Sequence, residues 1–129
     1  MRKFTSVVSV LALLALLRSE PVYAVDLLLF NATTGDAVSV PKVVQVGGDA
    51  VCDLKIDSGG VSEVIVTIYH AASVDAAGDL VNPAVWYQAI NPTNGDPDHY
   101  LVGTCPNFVG GVMTDWVSGE ITVRLRSRK

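Results

Sequence analysis

The stretch that decides the fold is EITVRLR, residues 120–126, in which apolar and polar residues alternate strictly. Successive side chains of a β-strand point to opposite faces of the sheet, so Ile121, Val123 and Leu125 share one face. The opposite face is polar and carries two arginines. The pattern predicts a strand with one face on a core and one face in solvent.

A second alternating stretch, residues 50–56, places Asp53 and Lys55 toward solvent. Residues 57–60 (DSGG) have turn chemistry, and residues 61–70 are rich in β-branched side chains that suit a strand. We therefore predict a hairpin of these two strands. Four side chains of the first strand are expected to face the core: Ala50, Cys52, Leu54 and Ile56.

Further short strands are expected along the rest of the chain, separated by Gly, Pro, Asn and Asp. Pro41 indicates an edge strand or a bulge, because proline cannot donate to a ladder. Residues 71–79 are predicted to be a loop. The additional strands are expected at residues 25–31, 38–46, 84–90, 100–105 and 113–117.

Seven or eight short strands without a long helical period predict an all-β, antiparallel β-sandwich. Its architecture is expected to be immunoglobulin-like or jelly-roll-like. The immunoglobulin pattern itself is not matched, because position 103, two residues before Cys105, is glycine where that pattern has tyrosine. Only the architecture is therefore predicted.

Residues 1–24 have the three parts of a cleavable secretory signal peptide. Arg2 and Lys3 are followed by the apolar run 7–17, and Ala24 supplies a small residue for cleavage. A retained membrane anchor is the alternative, but the run stops at Arg18 and a spanning helix needs about 20 apolar residues. We expect residues 25–129 to form one secreted or periplasmic domain without a membrane anchor.

The mature chain is predicted to be acidic. The 129 residues hold 9 basic and 13 acidic side chains, and loss of three basic and one acidic residue with the leader leaves a formal net charge of −6. Most of the remaining basic residues lie at the C-terminus: Arg124, Arg126, Arg128 and Lys129. Because nucleic-acid affinity comes chiefly from basic side chains that meet phosphates, we expect no nucleic-acid partner.

Cys52 and Cys105 are the two cysteines of the chain. An exported protein enters an oxidising compartment, so we expect them to form a structural disulfide. A redox site would need a closely spaced pair, which the sequence lacks.

Four aromatic residues are candidates for an exposed ligand platform: Trp86, Tyr87, Tyr100 and Trp116. Such rings bind sugars or protein partners in many β-domains. The alternative is core packing, and since neighbours on a strand face opposite sides, at least one of Trp86 and Tyr87 is expected in the core.

The oxygen-rich loop 91–99 offers Asn94, Asp96 and Asp98 as weak calcium candidates, although it lacks the spacing of an EF-hand and also suits an ordinary turn. His70 and His99 do not have zinc-site spacing. We expect no metal and no cofactor.

Enzymatic function is not expected. Asp96, Asp98, Asp115 and Glu120 could act as acid and base only if the fold brought them together, and the chain lacks a nucleophile elbow and a phosphate-binding glycine loop. We predict an exported structural or protein-interaction domain, self-assembling or adhesive through its edge strands. The alternative is a small-ligand module that binds carbohydrate or calcium through the aromatic residues and the 91–99 loop.

N-terminal sequencing of the exported protein tests the leader. We expect the mature chain to begin at Val25, because cleavage after Ala24 satisfies the small-residue rule. An intact Met1 on the exported protein would contradict this interpretation.

Overall fold

A computed structural model describes residues 25–44, 51–93 and 99–128. The predicted leader, residues 1–24, lies outside the described residues, so its cleavage stays a prediction. Within the described ranges, the chain forms no helix of the length and apolarity that a membrane crossing requires.

The described residues form two antiparallel sheets packed together, which confirms the all-β sandwich. The front sheet has the strand order β1-β9-β4-β7, and the back sheet has the order β2-β8-β5-β6, with β3 also paired to β8. The strands are β1 Val25–Thr33, β2 Ala37–Val38, β3 Lys42–Val43, β4 Val51–Ser58, β5 Glu63–Ala71, β6 Ala84–Ile90, β7 Tyr100–Thr104, β8 Phe108–Ser118 and β9 Ile121–Arg128.

Strand β9 has the alternation that its sequence predicts. Ile121, Val123 and Leu125 are fully buried, while Arg124 on the opposite face is exposed. The strand lies between β1 and β4 and pairs with both, and every residue of β4 has a partner on β9. The EITVRLR stretch thus forms the centre of the front sheet.

The core lies between the two sheets and is built from inward residues of their central strands. Burying each aliphatic side chain contributes about 1.5–3 kcal/mol, and the inner faces together supply most of this burial. The front sheet contributes Leu54, Ile56, Ile121, Val123 and Leu125, and the back sheet contributes Val64, Val66, Ile68, Val109 and Met113.

The predicted hairpin is wrong. Strand β4 pairs with β7 and β9 in the front sheet, whereas β5 pairs with β6 and β8 in the back sheet. The DSGG turn carries the chain from one sheet to the other, and the Gly59 N–H donates to the Glu120 carbonyl at 2.9 Å. A polar, glycine-rich turn serves a hairpin and a sheet-to-sheet crossing equally well, so local sequence did not separate them.

The other predicted elements agree with the structure except at some boundaries. Strand β8 begins five residues earlier than predicted, at Phe108, because Gly110 and Gly111 resemble a turn in sequence. The predicted strand 38–46 is two short strands on the edge of the back sheet, interrupted around Pro41. Residues 71–79 form a loop, apart from the last residue of β5. Ala50 and residues 45–46 lie outside the described residues.

The predicted disulfide is present. Cys52 on β4 is bonded to Cys105, with their Cα atoms 4.9 Å apart, and both residues are buried in the core. Cys105 follows the end of β7, where the chain leaves the front sheet for β8 in the back sheet. The bond spans 53 residues, and closing a loop of this size stabilises a fold by about 4 kcal/mol in the chain-entropy model.

Gly111 is required by the packing of the two sheets, and its replacement tests this part of the core. A Cβ at this position would lie 2.7 Å from Cε2 of Phe30, a residue of the facing sheet. We expect Gly111→Ala to lower the free energy of unfolding by about 1–3 kcal/mol, as overpacking does in other cores. Urea denaturation measures this change.

Gly60→Ala is the matched control, because a Cβ there meets nothing within 4 Å. Its stability should match or slightly exceed that of the wild type. In a Phe30→Leu background the Gly111→Ala cost should shrink, since the clashing ring is gone. An equal cost in both backgrounds would show that the Phe30 contact is not the cause.

Candidate binding surfaces

The four aromatic candidates do not form one surface. Trp86 and Tyr87 lie on β6 at the edge of the back sheet, and Trp116 lies on β8, with β5 between them. Tyr100 lies on β7 in the front sheet. A single platform of four rings is therefore not built by this fold.

Both rings of the Trp86-Tyr87 pair contact the core, because β6 is bulged at Trp86, between Val85 and Tyr87. Ile68 pairs with Tyr87 and Tyr69 pairs with Val85, so Trp86 is the extra residue and the strict alternation of side chains is interrupted. Both side chains are partly buried against the core cluster. At least one of them was expected in the core, and in the structure both pack against the core while staying partly exposed.

Trp116 has a local structural role. Its indole Nε1 donates to the Gly119 carbonyl at 2.8 Å, and its backbone N–H donates to Asp36 Oδ1 at 3.0 Å. The ring is partly buried against the core. The first contact fastens the turn between β8 and β9, and the second joins β8 to the connection between β1 and β2.

The calcium candidates Asn94, Asp96 and Asp98 lie outside the described residues. Among the residues that the structure does describe, no group of three or more His, Cys, Asp or Glu is placed to hold a metal ion. His70 lies on β5, while His99 approaches the Tyr87 hydroxyl with its Nδ1 at 3.5 Å.

Strand β6 is an uncharged edge of the back sheet. It pairs with β5 on one side, and its sequence AVWYQAI contains no charged residue and no proline. Val85 and Ile90 are 56% and 61% exposed. Two of the other edges are interrupted or charged: Pro41 separates β2 from β3, and β1 carries Asp26. The fourth edge, β7, is also uncharged but is only five residues long.

The outer face of the front sheet is strongly charged. Arg124 on β9 lies directly opposite Lys55 on β4, and Tyr100 lies on the other side of Lys55. In the next row, Arg126 lies opposite Asp53. Like charges directly across a sheet repel, so the Arg124–Lys55 pair is unfavourable unless other groups neutralise it.

Acidic side chains offset these cations only loosely. Lys55 Nζ is 3.5 Å from Asp57 Oδ2, and Arg124 Nε is 3.8 Å from Asp26 Oδ1. These pairs are substantially exposed, and such pairs typically contribute about 0–1 kcal/mol. The Lys55–Asp57 and Arg124–Asp26 pairs are therefore held together only weakly.

Asp53 is the exception to the exposed character of this face. The sequence pattern directs it outward, as predicted, yet only 5% of its surface is accessible. Its neighbours on β9 and β7, Arg126 and Val102, flank it in register. Its Oδ1 has no hydrogen-bond partner among the described residues.

A depression of about 460 Å³ runs along the β4–β9 strands on this face. Its lining combines three acidic and three basic side chains with one aromatic ring and two hydroxyls. These side chains are Asp53, Asp57, Glu120, Lys55, Arg124, Arg126, Tyr100, Ser58 and Thr122.

Of this set, only Tyr100 and Glu120 were site candidates from the sequence, and Glu120 was grouped there with Asp96, Asp98 and Asp115. Asp115 instead lies on β8 in the back sheet. The alternating charges of β4 and β9 were visible in the sequence, but their direct pairing was not predicted, because β4 was expected to pair with β5.

The chain matches no protein-family model, and neither the curated proteins nor the solved structures contain a significant match to it. The geometry of these surfaces is therefore the basis for inferring a function.

Proposed function

We propose that this protein is an exported, non-enzymatic structural domain that self-associates by pairing the β6 edge of one copy with the β6 edge of a second copy. The observation that carries the proposal is the seven-residue edge strand Ala84–Ile90, which has no charged side chain. Natural edge strands usually carry lysine, proline or other charges that prevent such pairing.

The side chains of β6 favour an extended partner. Val85 and Ile90 leave apolar surface exposed at either end of the strand. Backbone pairing supplies hydrogen bonds, and the burial of these side chains supplies apolar contact, which is the usual combination in strand addition.

The β6 strand of a second copy can pair with this edge without repulsion between the two strands, because neither carries a charged side chain. Two β6 strands related by a twofold axis would run antiparallel and bring no charged side chain of β6 against another. The mature chain carries a formal charge of −6 elsewhere by the sequence analysis, so overall repulsion opposes association. We therefore expect the dimer to strengthen as ionic strength rises.

The bulge in β6 limits the strength of pairing. Regular one-to-one pairing with β5 covers Tyr87–Ile90, and Trp86 interrupts it beyond that point. A short regular segment supplies few intermolecular hydrogen bonds, so the expected association is weak and reversible.

The disulfide supports the exported part of the proposal. A bonded Cys52–Cys105 pair is compatible with an oxidising location such as the periplasm or the extracellular space.

Sedimentation velocity over a range of protein concentrations tests self-association. We expect the wild type to form a dimer, and Val85→Lys together with Ile90→Lys to weaken dimerisation about tenfold or more by placing like charges at the edge. Hydrogen exchange of the β6 amides should slow as the wild type dimerises.

Val61→Lys is the control, because Val61 is 86% exposed and lies in the connection between β4 and β5, away from β6. It adds the same charge and should leave the dimer nearly unchanged. A wild-type protein that stays monomeric at all concentrations and salt levels, with unprotected β6 amides, would refute the proposal.

A further inference from the structure

We propose that the outer face of the front sheet binds a neutral carbohydrate in the depression between β4 and β9. This surface is on the opposite sheet from β6, so the inference stands independently of self-association. It rests on three observations: a buried carboxylate oxygen, Asp53 Oδ1, without a hydrogen-bond donor among the described residues, a balanced set of charges and an exposed aromatic ring.

The first observation is Asp53. A buried carboxylate is normally surrounded by donors, because removing its charge from water is costly unless hydrogen bonds replace the lost hydration. Asp53 Oδ1 has no such donor among the described residues, yet the side chain lines the depression. A ligand hydroxyl entering the depression would supply the missing donor.

The other buried oxygen without a partner in the described part of the chain is Ser127 Oγ. Ser127 is fully buried and lies opposite Cys52, on the inward side of β9. It faces the interior and cannot meet a ligand on the outer face, so Asp53 is the group that points to a site.

The second observation is the charge balance of the lining, which holds three acidic and three basic side chains. The cations Lys55, Arg124 and Arg126 disfavour a metal ion, and the three carboxylates disfavour an anion. A neutral ligand avoids both costs. Each hydroxyl of a sugar can both donate and accept a hydrogen bond. A sugar therefore suits a surface on which acceptors and donors lie side by side.

The pairing register shows this interleaving directly. Asp53 lies opposite Arg126, and in the adjacent row Lys55 lies opposite Arg124, while Asp57 approaches Lys55 along β4. Carboxylates accept from sugar hydroxyls, and the Lys and Arg groups donate to the oxygens of the same ring. Loose ion pairs can exchange partners with a ligand at small cost.

The third observation is Tyr100, which lies across the ladder from Lys55 and is 44% exposed. The C–H face of a pyranose ring packs against aromatic rings, which gives a polar site the apolar contact it otherwise lacks. The volume of about 460 Å³ lies within the range of small-ligand sites.

The test is binding of named oligosaccharides to the purified chain, followed by NMR of its amide signals. Cellotetraose, maltotetraose and chitotetraose are the neutral probes, and a sulfated disaccharide and calcium chloride are the charged probes. We expect at least one neutral probe to bind and to shift the amides of Asp53, Lys55 and Tyr100, while the β6 amides stay unchanged. The charged probes should not shift them.

Two variants and one control assign the site. Asp53→Asn and Lys55→Ala should each weaken binding of the neutral probe about tenfold, the cost of losing one good polar contact. Lys42→Ala removes an exposed lysine from the back sheet and should leave binding unchanged. Circular dichroism and the melting temperature confirm that each variant is folded.

The asparagine variant also separates a ligand role from a structural one. If Asp53 is kept for a ligand, replacing its carboxylate, whose Oδ1 lacks a donor among the described residues, by a neutral amide should leave the melting temperature unchanged or raise it while binding falls. If no neutral probe binds, if a charged probe binds in its place, or if both variants bind as the wild type does, the proposal is overturned. Failure here leaves the dimerisation result untouched.

Discussion

The rest of the structure depends on β9 being paired along both of its edges at the centre of the front sheet. Its alternation has a period of two, so a slip of one residue would move Arg124 into the core and Val123 into solvent. The cost of burying an unpaired arginine makes the register unambiguous. With β9 set, β1 and β4 are held on its two sides, and their inward residues complete the front half of the core.

The same constraint creates the charged outer face. Once Leu54 and Leu125 are partners in the interior, Lys55 must lie opposite Arg124 and Asp53 opposite Arg126 on the outside. The fold therefore places two cations against each other and buries a carboxylate beside an arginine. Packing of the core explains why these residues meet, but it does not explain why residues of these types stand at the meeting points. The neutral ligand proposed for this face would supply that reason, because its hydroxyls can donate to the carboxylate and accept from the cations.

The back sheet is joined to the front sheet by side-chain packing and by the disulfide rather than by backbone pairing. Gly111 on β8 leaves space for the ring of Phe30 from the front sheet, and Cys105 fastens the connection between β7 and β8 to β4. Both features join the two sheets through side-chain contacts. Adding a methyl group at Gly111 or removing the disulfide would therefore lower the stability of the packed sheets. The edge strand β6 pairs on one side only, with β5, and this pairing is interrupted by the bulge at Trp86.

Much of this fold could be predicted from the sequence because periodicity is a local property. The strand β9, the inward residues of β4, the edge position around Pro41 and the disulfide all follow from residue patterns and cysteine count. The partner of β4 did not, because a DSGG turn is compatible with a hairpin and with a crossing between sheets. The early start of β8 was hidden by Gly110 and Gly111, which serve packing rather than a turn. The burial of Asp53 depends on neighbours from β7 and β9, and distant neighbours leave no local signal.

The most direct test of this account is a set of cross-strand nuclear Overhauser effects for β4. The account predicts backbone contacts between Leu54 and Leu125 and between Lys55 and Arg124, because β4 and β9 are antiparallel neighbours. It predicts no backbone ladder between β4 and β5. A continuous ladder between residues 51–58 and 63–71, with none to β9, would contradict the topology and the charged face that depends on it.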